Sequence, residues 1–181
     1  PGNAKLHFDY GRALAGLHRY TDAAAANRQA LLIQPDYLNA MNNLGYALTL
    51  DGRADEALAW LEQVLQIDPK NQGALFNIGF AHGAAGRIEQ AEARFRDVLS
   101  LNPNHARAHL NLGLILEARG EDDDAIPHFR RAIEQDPGLA LAHHNLAGLL
   151  RKRGENEEAL RHYRMALESD PANPNTPKNL G

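Results

Sequence analysis

The residue types in this chain that can do chemistry are its nine histidines, its carboxylates and its asparagines, for it has no cysteine. Without thiols there is no disulfide, no thiolate metal ligand and no cysteine nucleophile. His105 and His109 stand at i and i+4, a spacing that puts two imidazoles on one face of a helix; His143-His144 follows further along. A structural zinc site needs four ligands, and a catalytic one needs three plus water. No carboxylate at a matching spacing completes such a set, so the histidines read as packing or solvent-facing groups. The acidic run Glu121-Asp122-Asp123-Asp124 lacks the alternating oxygens, turn glycine and distal carboxylate of a calcium loop. It reads as the first turn of a helix, where the dipole favours acids. A glycine-rich phosphate loop and a Gly-x-Ser-x-Gly elbow are both missing from the sequence. The reading is of a chain with no catalysis of its own, no metal and no cofactor.

The elements that would position these groups are set by a period. Pro1, Pro35, Pro69, Pro103, Pro137 and Pro171 recur at one constant interval. Further columns keep the same phase. One is apolar (Tyr10, Leu44, Ile78, Leu112, Leu146), and behind it stands a small residue (Gly11, Gly45, Gly79, Gly113, Ala147). Another is all alanine (Ala23, Ala57, Ala91, Ala125, Ala159), followed by Asn27, Leu61, Phe95, Phe129 and Tyr163. Small residues on two helices allow a close crossing, and the bulky residue fills the space beside it. Gly52, Gly86, Gly120 and Gly154 close the first helix of a pair. Acids such as Asp55-Glu56 and Glu157-Glu158 open the second. That helix stops before a proline, as at Asp68-Pro69 and Asp136-Pro137. The first unit is looser, with His18 at the hinge and Asn27 in the bulky column. Pro127 falls inside a second helix and predicts at most a small kink.

A period of about 34 residues with these columns resembles the tetratricopeptide repeat. The resemblance implies an all-α fold, a right-handed superhelix (α-solenoid) of five helix–turn–helix repeats. It places them at 4–37, 38–71, 72–105, 106–139 and 140–173, in a single array over 1–181. Residues 1–3 and 174–181 would be partial repeats. Pro1-Gly2-Asn3 reads as the tail of a repeat, and Asn179-Leu180-Gly181 is in phase with Asn43-Leu44-Gly45, so the array is expected to be truncated at both ends.

Stacked repeats make a curved surface that holds proteins. By family position, Asn43, Asn77, Asn111 and Asn145 lie on first helices and face the concave groove, with Asp9 at that place in the first unit. An amide donates and accepts together, so a ladder of them can grip an extended peptide by its backbone. Such a ladder is similar to that of the repeat domain of O-linked N-acetylglucosamine transferases. Around it the resemblance places Asn39, Asn42, Tyr46, Phe76, Phe80, Leu110 and Leu114, with His144, Arg151 and Lys152 at the C-terminal end. An apolar centre with polar flanks suits a peptide with hydrophobic anchors. The two-carboxylate clamp for chaperone tails would need cations where Asn42 and Asn111 stand.

Three functions follow as expectations: a groove for a peptide or protein partner, the substrate-recruiting arm of a bacterial transferase, or a self-assembling scaffold. The last would use Leu6, Phe8 and Tyr10 at one end and Leu160, Tyr163 and Leu167 at the other, giving weak end-to-end self-association. A net charge of −4 argues against a nucleic-acid partner. No apolar run is long enough to span a bilayer, so no membrane partner is expected. A cytoplasmic placement is a separate expectation. Alanine-rich, arginine-over-lysine usage suggests a bacterial source.

Overall fold

A computed structural model describes residues 2–170 of the chain; Pro1 and residues 171–181, with the readings that rest on them, lie outside it. Ten α-helices and no strands make up the described residues. Five of them, of 13 residues each, begin at matching places in the repeat: α1 (Ala4–Gly16), α3 (Leu38–Leu50), α5 (Gln72–Ala84), α7 (Ala106–Ala118) and α9 (Ala140–Lys152). Each is followed by a helix of 14 residues: α2 (Tyr20–Ile33), α4 (Ala54–Ile67), α6 (Ile88–Leu101), α8 (Asp122–Gln135) and α10 (Asn156–Ser169). The helices form two compact units, Pro1–Leu101 carrying α1–α6 and Asn102–Gly181 carrying α7–α10. In the first unit every helix packs on the next in sequence, and the first helices of neighbouring repeats also touch, α1 on α3 and α3 on α5. In the second, α7 packs on α8, α8 on α9 and α9 on α10.

Local chemistry accounts for where helices start and stop. Asn3, Asn71 and His105 cap α1, α5 and α7, accepting the N–H of Leu6, Ala74 and Ala108 at 3.2, 3.0 and 3.1 Å. These bonds satisfy donors that have no partner within the helix. The second helices have no side-chain cap bond where a cap is described, but carry acids in the first turn, from Asp22 of α2 to Asp122, Asp123 and Asp124 of α8. At the hinges, Gly52, Gly86, Gly120 and Gly154 take φ between 73° and 82°. The next residue reaches back to close the helix: Arg53 N–H donates to Leu48 O at 2.8 Å and Glu155 N–H to Leu150 O at 3.0 Å. This is the Schellman closure, which needs a left-handed residue. In the first repeat His18 supplies it at φ 59°, with its ring Nδ1 2.7 Å from the Tyr20 hydroxyl. Pro127 sits within α8, and the helix runs through it to Gln135.

The crossings of paired helices form the core. The alanine column is sealed, from Ala23, Ala57, Ala91 and Ala125 at 0% exposure to Ala159 at 2%. A methyl group added at Gly79 or Gly113 would stand 2.8 Å from the ring of Phe95 or Phe129, and one at Gly45 would meet Leu61 at 2.5 Å. Glycine is what lets those helices close on a bulky neighbour. In the fifth repeat the same columns hold Ala147 and Tyr163, both buried. Burial of Tyr163 at this crossing removes it from the expected trailing apolar face, where Leu160 is exposed and Leu167 half-buried. At the other end Leu6 and Tyr10 are exposed, whereas Phe8 packs on Tyr37 with ring centroids 5.2 Å apart.

Candidate functional site

In the first unit the expected groove residues lie on two neighbouring helices. Helix α3 carries Asn42, Asn43 and Tyr46; α5 carries Phe76, Asn77 and Phe80. Spacings of three and four positions keep each set on one side of its helix. Direct contacts join the two sets. Asn77 Nδ2 donates to Asn42 O at 3.3 Å, and the rings of Tyr46 and Phe80 stack with centroids 5.8 Å apart. Asn42 Nδ2 donates to Asn71 Oδ1 at 3.2 Å, which ties α3 to the cap of α5. Phe76 turns toward Phe95, ring to ring at 5.6 Å, beside the Gly79 crossing.

The amide column is therefore not uniform. Asn43 makes no side-chain hydrogen bond among the described residues, whereas Asn77 is committed to the backbone of α3. In the second unit Asn111 Nδ2 donates to Arg107 O one turn back at 2.8 Å, and Asn145 Nδ2 is buried with no partner among the described residues. Leu110 is buried and Leu114 half-buried. His144, beside Asn145, meets Tyr163 edge-on at 5.7 Å, and burial holds its pKa below the usual imidazole value.

A recess of about 160 Å³ opens where the first repeat meets the second, lined by Gly11, Arg12, Ala15, Asn27, Asn43 and Tyr46. Asn27 is only 1% exposed. Its Nδ2 donates to Ala23 O at 2.8 Å, and its Oδ1 has no partner among the described residues.

A second feature escaped the sequence reading. In α7–α8, His109 Nδ1 lies 2.9 Å from His128 Nδ1, and in α9–α10, His143 Nδ1 lies 2.8 Å from His162 Nδ1. His109 Nε2 is 2.9 Å from Pro103 O, and His143 Nε2 is 3.1 Å from Pro137 O. A carbonyl only accepts, so these Nε2 atoms carry hydrogen, and the facing Nδ1 atoms accept from His128 and His162. Burial lowers the pKa of His143. It lowers that of His162 too, with help from neighbouring His143, Arg130 and Arg161 and against the pull of Glu158. The signal was present: His128 and His162 stand at one place in consecutive repeats, as do His109 and His143. Among the described residues no group of three or more histidines and carboxylates could hold a metal ion.

Tetratricopeptide repeat profiles match residues 36–104, 76–140 and 116–175, so that together they run over most of the chain. The chain belongs to the tetratricopeptide repeat family. No curated protein sequence matches it. Among solved structures, this tetratricopeptide protein is similar to TTC0263, a thermophilic TPR protein in Thermus thermophilus. They share 26% identity at a TM-score of 0.81 over 94% of this chain and 93% of that one. PilF of Pseudomonas aeruginosa has the same TM-score at 22% identity, over 94% of this chain and 78% of its own. YrrB, described as a TPR protein with an unusual peptide-binding site, gives 0.61 at 22% identity, over 96% and 90%. At such identities the last two share the fold alone. No helix among the described residues is long and apolar enough to cross a membrane.

Proposed function

We propose that this protein is an interaction module that holds an extended peptide segment of a partner along the first helices of its repeats, without chemistry of its own. The observation that carries the reading is on α3: the Asn43 amide has no partner within the described protein, and it stands one turn from Tyr46, whose ring stacks on Phe80. A free amide can take a peptide unit's N–H and C=O together, and the aromatic pair offers an apolar anchor beside it. In the first unit Asn77 holds the same repeat position on α5, beside Phe76; in the second unit Asn111 and Asn145 hold it on α7 and α9, with Leu110 and Leu114 on α7. The differing bonds of these amides separate two roles. Asn43 serves the ligand, while Asn77 first serves the backbone of the neighbouring α3 and Asn111 that of its own helix.

The test uses a peptide selected from a displayed random library against the whole chain. Asn43→Ala is expected to weaken its binding about tenfold, the worth of one or two hydrogen bonds, with melting unchanged. Unchanged affinity in Asn43→Ala, with binding mapped elsewhere, would overturn the reading. A second reading is favoured by Leu6 and Tyr10, which stand 65% and 58% exposed on α1. We propose weak, concentration-dependent association between copies through that face. Light scattering across a wide concentration range tests it, and a Leu6→Asp, Tyr10→Asp variant that associates as before would exclude this face.

A further inference from the structure

We infer that the exposed face of α1 and α2 receives α10 of a second copy of this chain, head to tail, in the register that joins neighbouring repeats within one copy. This rests on the association reading above and names what covers that face. Within each unit the second helix of a repeat lies on the first helix of the next: α2 on α3, α4 on α5 and α8 on α9. The contact seals one set of positions on each side. On the receiving helices Leu44, Ile78 and Leu146 are at most 4% exposed, and Ala40, Ala74 and Ala142 are fully buried; their counterparts on α1, Tyr10 and Leu6, stand in solvent. On the second helices Ala24, Leu58 and Ile126 are buried, whereas Leu160 at the same place on α10 is 39% exposed. The two open sets are the two halves of one repeat-to-repeat contact. A recess of about 350 Å³ marks the receiving half, its lining including buried Leu14 and Ala26 and exposed Tyr10, Arg19 and Asp22.

Charge identifies the occupant. Between repeats, Arg28 of α2 pairs with Glu56 of α4, and Arg130 of α8 with Glu158 of α10 at 3.2 Å. Glu56 also takes Arg53 from its own repeat. Asp55 of α4 takes Arg87, just past the next hinge, at 2.5 Å. Whole-repeat steps carry these pairs onto the two open faces. Arg164 of α10 stands where Arg28 and Arg130 stand, and Asp22 of α2 where Glu56 and Glu158 stand. Glu157 takes the place of Asp55, and Arg19 that of Arg87. Asp22 holds its own Arg19 at 2.6 Å, as Glu56 holds Arg53, and lacks the second arginine that Glu56 receives. Arg164 and Glu157 make no ion pair among the described residues. Laying α10 of one copy on α1 and α2 of the next supplies both missing pairs, Arg164 with Asp22 and Glu157 with Arg19, around the contact of Leu160 with the apolar recess. Apolar burial gives the attraction, and the rim pairs select the partner and its orientation. A contact between unlike faces leaves one of each open, so it does not stop at a two-fold dimer.

The experiment is sedimentation velocity of the intact chain from micromolar to millimolar concentration, with circular dichroism melts to confirm that each variant is folded. The mean mass is expected to rise steadily with concentration. Arg164→Glu and Asp22→Arg are each expected to weaken association about tenfold, by setting like charges against each other at the rim. Mixed in equal amounts, the two variants are complementary at both ends and are expected to associate within about twofold of the unmodified chain, which no defect of folding could produce. Leu160→Asp, at an exposed position, is expected to weaken association at least about tenfold by itself. A chain that stays monomeric up to millimolar concentration would overturn this contact and the association reading together. Association that is lost in the Leu6→Asp, Tyr10→Asp variant but untouched by Leu160→Asp and Arg164→Glu would overturn the α10 contact alone, and leave the α1 face to another occupant. Charge variants that weaken association singly and do not rescue each other when mixed would overturn the register.

Discussion

Two glycines in the second unit allow the packing argument to be tested with opposite signs from the same chemical change. Gly113 and Gly148 both lie inside helices, α7 and α9. Replacing either with alanine removes backbone freedom from the unfolded chain and gains about 0.8–1 kcal/mol of helix propensity. At Gly148 the new methyl meets only the Tyr163 hydroxyl, at 3.9 Å, an ordinary contact. Gly148→Ala is therefore expected to stabilise the protein by about 1 kcal/mol. At Gly113 the methyl would stand 2.8, 2.9 and 3.1 Å from three ring carbons of Phe129. That ring is fully buried and has no solvent to swing into. Overpacking of this kind costs about 1–3 kcal/mol, which outweighs the propensity gain and leaves a net loss of about 1 kcal/mol. The two variants should differ by about 2 kcal/mol, or roughly 4–8 °C in melting temperature for a chain of this size. Urea and thermal unfolding followed by circular dichroism measure both. Should Gly113→Ala prove as stable as the unmodified protein while Gly148→Ala shows its gain, the close approach of α7 to α8 does not depend on a missing side chain.

Gly120 tests the hinge alone: nothing lies within 4 Å of an added methyl, but φ is +77°, so Gly120→Ala should lose about 1–2 kcal/mol through backbone conformation, read as a lower urea midpoint. Asn77→Ala removes the bond to Asn42 O and should lose about 1 kcal/mol, whereas Asn43→Ala should leave the midpoint unchanged. His82, His105, His143, His144 and His162 all have folded pKa values below the ordinary 6.5, with burial the leading cause in each. The unfolded chain then binds more protons in acid, so stability is full above about pH 6.5 and falls as the pH drops through the folded values. Unfolding midpoints from pH 7.5 down to pH 5 should show this decline, shallower in His143→Gln; a flat profile would contradict the burial of these rings.

Much of this was legible because a repeat states each rule several times. A glycine at nearly every hinge, acids in each following turn and a proline after each second helix name their positions by backbone chemistry alone. The observed first helices begin at Ala4, Leu38, Gln72, Ala106 and Ala140, in step with those prolines. The site was less legible. Which amide of the column is free depends on what each Nδ2 reaches: the backbone of the neighbouring first helix for Asn77, one turn back for Asn111, no partner among the described residues for Asn43. Type and spacing are the same in all three. The histidine pairs join residues 19 apart on two helices, a contact set by the crossing geometry and not by either helix's own period. Asn27 was visible as a polar lapse in an apolar column, but the recess that it lines with Gly11, Asn43 and Tyr46 is a property of volume that no pattern of letters contains.

His18 has a further consequence, for the order in which the molecule opens. Its backbone holds a left-handed conformation that costs a residue with a side chain about 1–2 kcal/mol, where the other four hinges use glycine. The same repeat has a polar residue, Asn27, at its crossing, with a buried Oδ1 that has no partner among the described residues, and leaves Tyr10 in solvent. Each repeat leans only on its neighbours, so these deficits are not shared along the array. The hairpin of α1 and α2 is accordingly the unit whose amide protons exchange soonest with solvent, the place where a protease finds its first foothold, and the part of the molecule that a tethering ligand would quieten most.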